Sequence, residues 1–206
     1  MRERAGRWEL LSRKSQAGLN EHFKASLFGS VIGRCFFRGY PLAEAALVAE
    51  VCNLIYANLP DNLELQCEAQ YSKLLSGKVM PSLLTQLARA DLVINQKPTK
   101  NGAKPVPKFI IEVKRARAPK TQIDADLRRL IAVHQAHGGI RAFMFLIAEA
   151  QRPTRFVNSK GISIRGKHSI PHSTGQYRVR GTWKAAHAIS KIERAQYACL
   201  LEAYGW

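Results

Sequence analysis

The sequence predicts an α/β fold: a mixed central sheet flanked by helices, with a basic extension at its C-terminal end. Three observations predict it. Period-two and short apolar runs alternate with helix-period segments between residues 40 and 147. The segment 109–147 reads strand, helix, strand, which implies a right-handed parallel crossover. Residues 152–191 then hold nine Lys or Arg and no Asp or Glu.

The chain has 206 residues, 46% of them hydrophobic and 23% charged, a composition of globular rather than disordered chains. That length suits one medium domain with an appendage. The expected division is a basic helical segment over 1–38, a core over 39–150, and a basic extension over 151–206 packing on that core. No apolar run approaches the roughly 20 residues of a membrane helix. The first residues, MRERAGRWELLSRK, lead into no apolar stretch, so no secretory signal is expected. Cys35, Cys52, Cys67 and Cys199 form no CxxC pair, which argues against structural zinc. They read as isolated thiols, three among apolar neighbours, and the expected compartment is a reducing cytoplasm.

Lys and Arg outnumber Asp and Glu by 32 to 15, a formal net charge of +17. Such a field attracts polyanions, nucleic acid first, then an acidic membrane or protein. A merely solubilising surface would repel itself without a partner.

Each element follows from local pattern. Residues 1–38 carry Trp8, Leu10, Leu11, Phe23, Leu27 and Phe28 and are expected to form one or two helices. Pro41 suits a first helical turn. Residues 42–58 are helix formers, with a buried stripe at Leu47, Val51, Leu54 and Ile55. Residues 63–71 alternate apolar and polar side chains, hence a strand with one wet face. Residues 89–94 and 109–113 read as two further strands, joined by a Pro-, Gly- and Lys-rich loop. Residues 120–137 are amphipathic, with Ile123, Leu127, Leu130, Ile131 and His134 on one stripe and Asp124, Asp126, Arg128 and Arg129 elsewhere. Gly138 ends that helix. Residues 141–147 are a fourth strand, Tyr177–Trp183 a further one, and a helix is expected around 185–203.

Charges interrupt two of these strands. In 109–114, FIIEVK, Glu112 and Lys114 share a face, while Phe109, Ile111 and Val113 point to the core. In 89–94, Asp91 breaks an apolar run. Burying unpaired charge is costly, so such groups need a reason. An exposed Glu112–Lys114 ion pair is one. Phosphodiester chemistry is the other: Mg²⁺ takes hard oxygen ligands from two carboxylates, and an ammonium beside them orients water and stabilises developing charge.

Asp91, followed twenty-one residues later by Glu112-Val113-Lys114 within a helix–strand–strand–strand–helix–strand order, resembles the PD-(D/E)xK nuclease superfamily. The resemblance covers roughly residues 40–147. It departs from the pattern in having Ala90 where a proline is usual. It implies a restriction-endonuclease-like αβββαβ core and a Mg²⁺-dependent endonuclease, with Mn²⁺ able to substitute. By that resemblance Asp91, Glu112 and the Val113 carbonyl hold the metal, and Lys114 works on the water. It also implies a helix glutamate assisting the metal, for which Glu44 is preferred over Glu50, and a role beside the site for Gln122. The bland alternative for these last three is a solvated polar residue.

The basic residues complement this reading. Arg115 and Arg117 follow the candidate strand, and Arg152, Arg155, Lys160, Arg165, Lys167, Arg178, Arg180 and Lys184 are candidates to clamp a phosphate backbone. Phe156, Tyr177 and Trp183 are candidates for base stacking, with core packing as the commoner fate. His134 and His137 at HxxH spacing lack a third ligand, and no GxxxxGK[ST] loop is present. The expected partner is nucleic acid, DNA before RNA, with no membrane. A homodimer or a protein partner in a larger complex is compatible. The alternatives are a non-catalytic nucleic-acid-binding subunit and a basic adaptor in a nucleoprotein or defence complex.

Overall fold

The computed structural model describes residues 43–85, 87–100, 102–184 and 192–205. The helices expected within 1–38, and Pro41, lie outside these. A seven-stranded mixed sheet forms the middle of the molecule, in the order β1-β2-β3-β4-β7-β6-β5. The strands are β1 Leu63–Gln70, β2 Arg89–Gln96, β3 Val106–Arg115, β4 Arg141–Ala148, β5 His168–Ser169, β6 Gln176–Lys184 and β7 Tyr197–Tyr204. Helix α1 spans Glu44–Ala57, the single turn α2 Tyr71–Leu74, and α3 Lys120–His137. Only β3 and β4 pair in parallel, across the α3 crossover. The α/β class and the helix–three strands–helix–strand order are therefore present, with α2 inserted after β1. No helix among the described residues is long and apolar enough to cross a membrane.

The sheet is buried on both faces by two separate apolar clusters. On one face Leu47, Val51, Leu54 and Ile55 of α1 meet Leu92, Ile94, Ile111, Val113 and Phe145. On the other, Ile123, Leu127, Leu130 and Ile131 of α3 meet Ile110, Met144, Leu146, Cys199 and Leu201. Each such side chain, fully buried, contributes about 1.5–3 kcal/mol of transfer free energy. The alternation along β3 assigns Ile111 and Val113 to the α1 face and Ile110 to the α3 face. Glu112 and Lys114 thus project from the α3 face, through a core-making strand. Gly138 ends α3 in the left-handed conformation, φ 75°, which glycine adopts without a Cβ penalty.

Three expectations are corrected. The helix expected around 185–203 is not formed over its described part: Ile192–Arg194 is a 3-10 turn and Tyr197–Tyr204 is strand β7. Its Ala, Leu and Glu favour helix, but the segment lies between β4 and β6 and is buried on both sides, and that packing overrides propensity. Asp124 and Asp126 are buried rather than turned away from the apolar stripe of α3. Nor are the cysteines all isolated: the Cys52 and Cys67 sulfurs lie 3.2 Å apart, joining α1 to β1, and Cys67 is exposed. Strands β7 and β6 extend the sheet itself, so residues after 150 are part of its core.

Candidate active site

The site begins where two paired strands part. Strands β2 and β3 run antiparallel from Gln96↔Val106 to Leu92↔Ile111, and the ladder stops there. At the next position the Asp91 side chain takes over: its Oδ2 accepts a hydrogen bond from the Val113 N–H at 2.7 Å. A carboxylate thus fills the place that a backbone carbonyl occupies in an unbroken ladder. On the other side of β2, Cys67↔Leu92 and Ala69↔Ala90 pair, which places Glu68 opposite Asp91. Glu68 has φ 53°, a left-handed conformation that a non-glycine residue in a strand rarely adopts. Such backbone strain gathers at functional sites.

Glu112 stands across the fork from Asp91, 4% exposed. Its Oε1 accepts a hydrogen bond from the hydroxyl of Tyr71, which is fully buried at the start of α2. The Asp91 and Glu112 carboxyls lie close enough to shift each other's proton affinity. Burial, then the Asp91 charge, pushes Glu112 up to about 8. Burial also raises Asp91, opposed by the Val113 N–H. Tyr71 is driven upward as well, by burial and by Glu112. At neutral pH Glu112 therefore holds a proton, as one of two close buried carboxyls does.

Lys114 lies beside this pair. Its Nζ contacts Glu44 Oε1 at 2.8 Å and Asp126 Oδ2 at 3.3 Å. Burial works to lower the Lys114 ammonium, but its hydrogen bond to Glu44 and the Asp126 charge outweigh that and hold it above the usual lysine value. The ammonium is therefore protonated, and its field favours the Asp91 carboxylate. Asp126 is itself held by an ion pair with Arg129, one turn along α3.

The sequence-derived candidates sort as follows. Asp91, Glu112 and Lys114 meet where the inner strands β2 and β3 part. Glu44 reaches Lys114 from the first turn of α1, so its contact is with the ammonium. The Val113 amide, not a side chain, completes the fork. Gln122 is exposed on α3 and makes no side-chain hydrogen bond to these residues. Tyr71, Asp126, Arg129 and Glu68 join the site without having been singled out. Tyr71 closes the alternating run 63–71, and Asp126 sits between Ile123 and Leu127; an aromatic hydroxyl and an acid so placed were the available signals.

A buried carboxyl whose proton affinity is raised by desolvation and by a neighbouring carboxylate forms, with that neighbour, a suitable donor set for a hard cation, which takes the proton's place. Asp91 and Glu112 are the residues able to hold Mg²⁺, which keeps several waters and needs few protein ligands. Among the described residues no three His, Cys, Asp or Glu side chains form a metal cage.

The cationic candidates divide between structure and surface. Arg115 is buried and grips Glu149, with Nε 3.1 Å from Oε2 and Nη2 2.5 Å from both oxygens. Arg155 bonds Asp124 at 2.5 Å and lies over the rings of Phe156 and Tyr177, which are core residues. Arg152 meets Glu193 at 2.9 Å. Arg117 is 64% exposed, and Lys160, Arg165 and Lys167 are exposed. Arg178 and Arg180 gather on Glu202, and Lys184 is half-buried at the end of β6. A cavity of about 730 Å³, lined by Arg117, Lys120, Arg152, Arg155, Glu149 and Ile123 among others, opens beyond the C-terminal ends of β3 and β4. That is the end at which α/β sheets bind ligands.

Comparison of the chain with protein-family models, with curated proteins and with solved structures gives no match.

Proposed function

We propose that the protein is a Mg²⁺-dependent endonuclease that hydrolyses phosphodiester bonds in DNA, on a PD-(D/E)xK-type core. The observation that carries this reading is the fork: Asp91, bonded to the Val113 N–H, and buried Glu112, bonded to Tyr71, beside a Lys114 held by Glu44 and Asp126. Mg²⁺ bound there would polarise the phosphate and lower the pKa of the attacking water. Asp91 and Glu112 would hold the cation, and Glu112, protonated at neutral pH without it, would have to ionise to do so. Tyr71 fixes the rotamer of Glu112 through Oε1. Lys114, positioned by Glu44 and Asp126, presents its ammonium to the attacking water and to charge building on the phosphate oxygens. Arg117 and Lys120, on the cavity beyond the C-terminal ends of β3 and β4, are the cations for flanking phosphates.

The test is cleavage of DNA and RNA with Mg²⁺ or Mn²⁺. The reading expects cutting that is lost in Asp91→Ala and in Lys114→Ala. Cutting that survives either change refutes it.

A second reading is a non-catalytic nucleic-acid-binding subunit on the same fold. It draws on the engagement of the site's own groups, with Lys114 between two carboxylates and Asp91 on an amide. It expects salt-sensitive binding, no cleavage, and binding that survives Asp91→Ala.

A further inference from the structure

The acid-free basic segment does not form one surface. Arg152 and Arg155 line the cavity beyond the C-terminal ends of β3 and β4. A second group lies elsewhere, around Glu202 of β7. Glu202 is buried and alternates with Leu201 of the α3-side cluster, so it faces the α1 side. Three guanidinium groups share its carboxylate: Arg141 at 2.8 Å, Arg178 at 3.6 Å, and Arg180. A register shift between Val179 and Gly181 makes Arg180 an extra residue in β6, and a bulge of that kind re-aims its side chain. The Trp183 ring lies where a Cβ on residue 181 would stand, a place only glycine leaves open.

Next to this cluster is a groove of about 710 Å³ between β6 and the 162–167 segment. Its lining includes Arg165, Lys167, Arg178, Arg180 and Trp183, and no acid. Lys167 and Arg178 both lie over the Tyr204 ring, 5.5 and 5.8 Å from its centroid. Five cations thus gather at the groove and the cluster beside it, three of them on the one carboxylate. The Arg178 Nε is buried and makes no hydrogen bond, although Glu202 is 3.6 Å away. Burial, with the neighbouring Arg178 and Arg141 charges, holds Arg180 below the ordinary guanidinium value despite Glu202. A folded chain that crowds guanidinium groups in this way holds repulsion that an anion relieves.

We propose that this groove is a docking site for the phosphate backbone of a nucleic acid, separate from the fork. It lies three strands away from Lys114, about 14 Å across the sheet, and about 10 Å along the strands. The fork projects from the α3 face and the Glu202 cluster from the α1 face, so the groove supplies affinity at a place distinct from the chemistry. Guanidinium groups suit phosphate because they bond it two-pronged, and Glu202 fixes their orientation before binding. The proposal rests on the nuclease reading only in taking nucleic acid as the polyanion.

The test is binding of a short fluorescein-labelled DNA duplex in EDTA, read by anisotropy across a salt series. Arg165 and Lys167 are the side chains to change, because both are exposed and leave the Glu202 cluster intact. Arg165→Glu with Lys167→Glu is expected to bind on the order of 10–100-fold more weakly near 0.1 M salt, with a log–log salt slope smaller by about two. The alanine pair should lose less, and thermal melts should show both variants folded. Lys100→Glu with Lys104→Glu makes the same charge change on the exposed β2–β3 loop and should cost no more than about threefold if the field is focused at the groove. Equal losses in the two pairs, or an unchanged slope in the groove pair, overturn the proposal. So does a wild-type protein that binds phosphatidylserine vesicles but no nucleic acid. If the wild-type protein binds but does not cut, the nuclease reading fails while the groove result stands.

Discussion

Glu112 and Glu202 occupy the same sheet and are nearly equally hidden from solvent, at 4% and 7% exposed. They titrate in opposite directions. Glu112 faces a second carboxyl, a phenol and Asp126, and rises to about 8. Burial also works to raise Glu202, but hydrogen bonds from Arg141 and Arg180 hold it below the usual carboxylate range. Desolvation is common to both, so the difference lies in the partners. One glutamate is left short of positive charge, as a site that takes up a cation would be. The other is oversupplied, as a site that takes up an anion would be. The sheet therefore carries two complementary imbalances, at different strands and on opposite faces.

The largest effect expected is on catalysis. Asp91→Ala and Lys114→Ala should each lower the cleavage rate by at least about 10³-fold, through loss of preorganised charge at the reacting phosphate. Single-turnover assays with Mg²⁺ measure this. Glu202→Ala should leave single-turnover cleavage by the bound complex near wild type, and the contrast breaks if the two losses are alike.

Stability separates the glutamates next. Glu202→Gln removes the anion from three guanidinium groups and should cost about 2–3 kcal/mol in urea unfolding, reduced from the fully buried figure because the arginines are partly exposed. Glu112→Gln should do the reverse at alkaline pH. Glu112 is about 8 in the folded state against an ordinary 4.5, so folding takes up a proton between those values. The stability it contributes is fully present below pH 4.5 and is lost as pH rises through about 8. The metal-free wild type should therefore weaken over that window, while Glu112→Gln, with nothing to ionise, should show a flatter profile and be the more stable of the two at pH 8. Equal slopes in urea series at several pH values would contradict the assignment.

A smaller effect sharpens the same point. Binding of Mg²⁺ or Mn²⁺ at pH 7 should release about one proton, because the cation displaces the one on Glu112. Calorimetry in buffers of different ionisation enthalpy reads it, and no buffer dependence would count against the shared site. The smallest change expected is Tyr71→Phe, which removes the hydroxyl from Oε1. It should cost about 1 kcal/mol and move the proton release upward in pH, since that hydrogen bond favours the Glu112 carboxylate.

The two imbalances were not equally legible in the sequence. Asp91, Glu112 and Lys114 stood out because a charge inside an apolar strand is costly, and strand periodicity alone put Glu112 and Lys114 on one face. The order of elements from α1 to β4 followed from periodicities of two and about 3.6. Tyr71 and Asp126 did not stand out, because their roles depend on where α2 and α3 land against β3, which no local pattern encodes. Strand β7 read as helix because Ala, Leu and Glu favour helix, and a strand buried on both faces shows no alternation to contradict them. With β7 misread, Glu202 could not be recognised as the anchor for Arg141, Arg178 and Arg180, and the basic segment looked like a single clamp. Arg115 was counted as a surface cation for the same reason, since its partner Glu149 lies thirty-four residues away, just beyond the end of β4.

The convergence of Asp91 and Glu112 on one cation is tested most directly by a crystal soaked in Mn²⁺ near pH 8. The account predicts one anomalous peak at the fork, about 2.0–2.2 Å from an oxygen of each carboxylate, and its disappearance in Asp91→Ala crystals. Glu112 still bonded to Tyr71, with no peak between the two carboxyls, would contradict it.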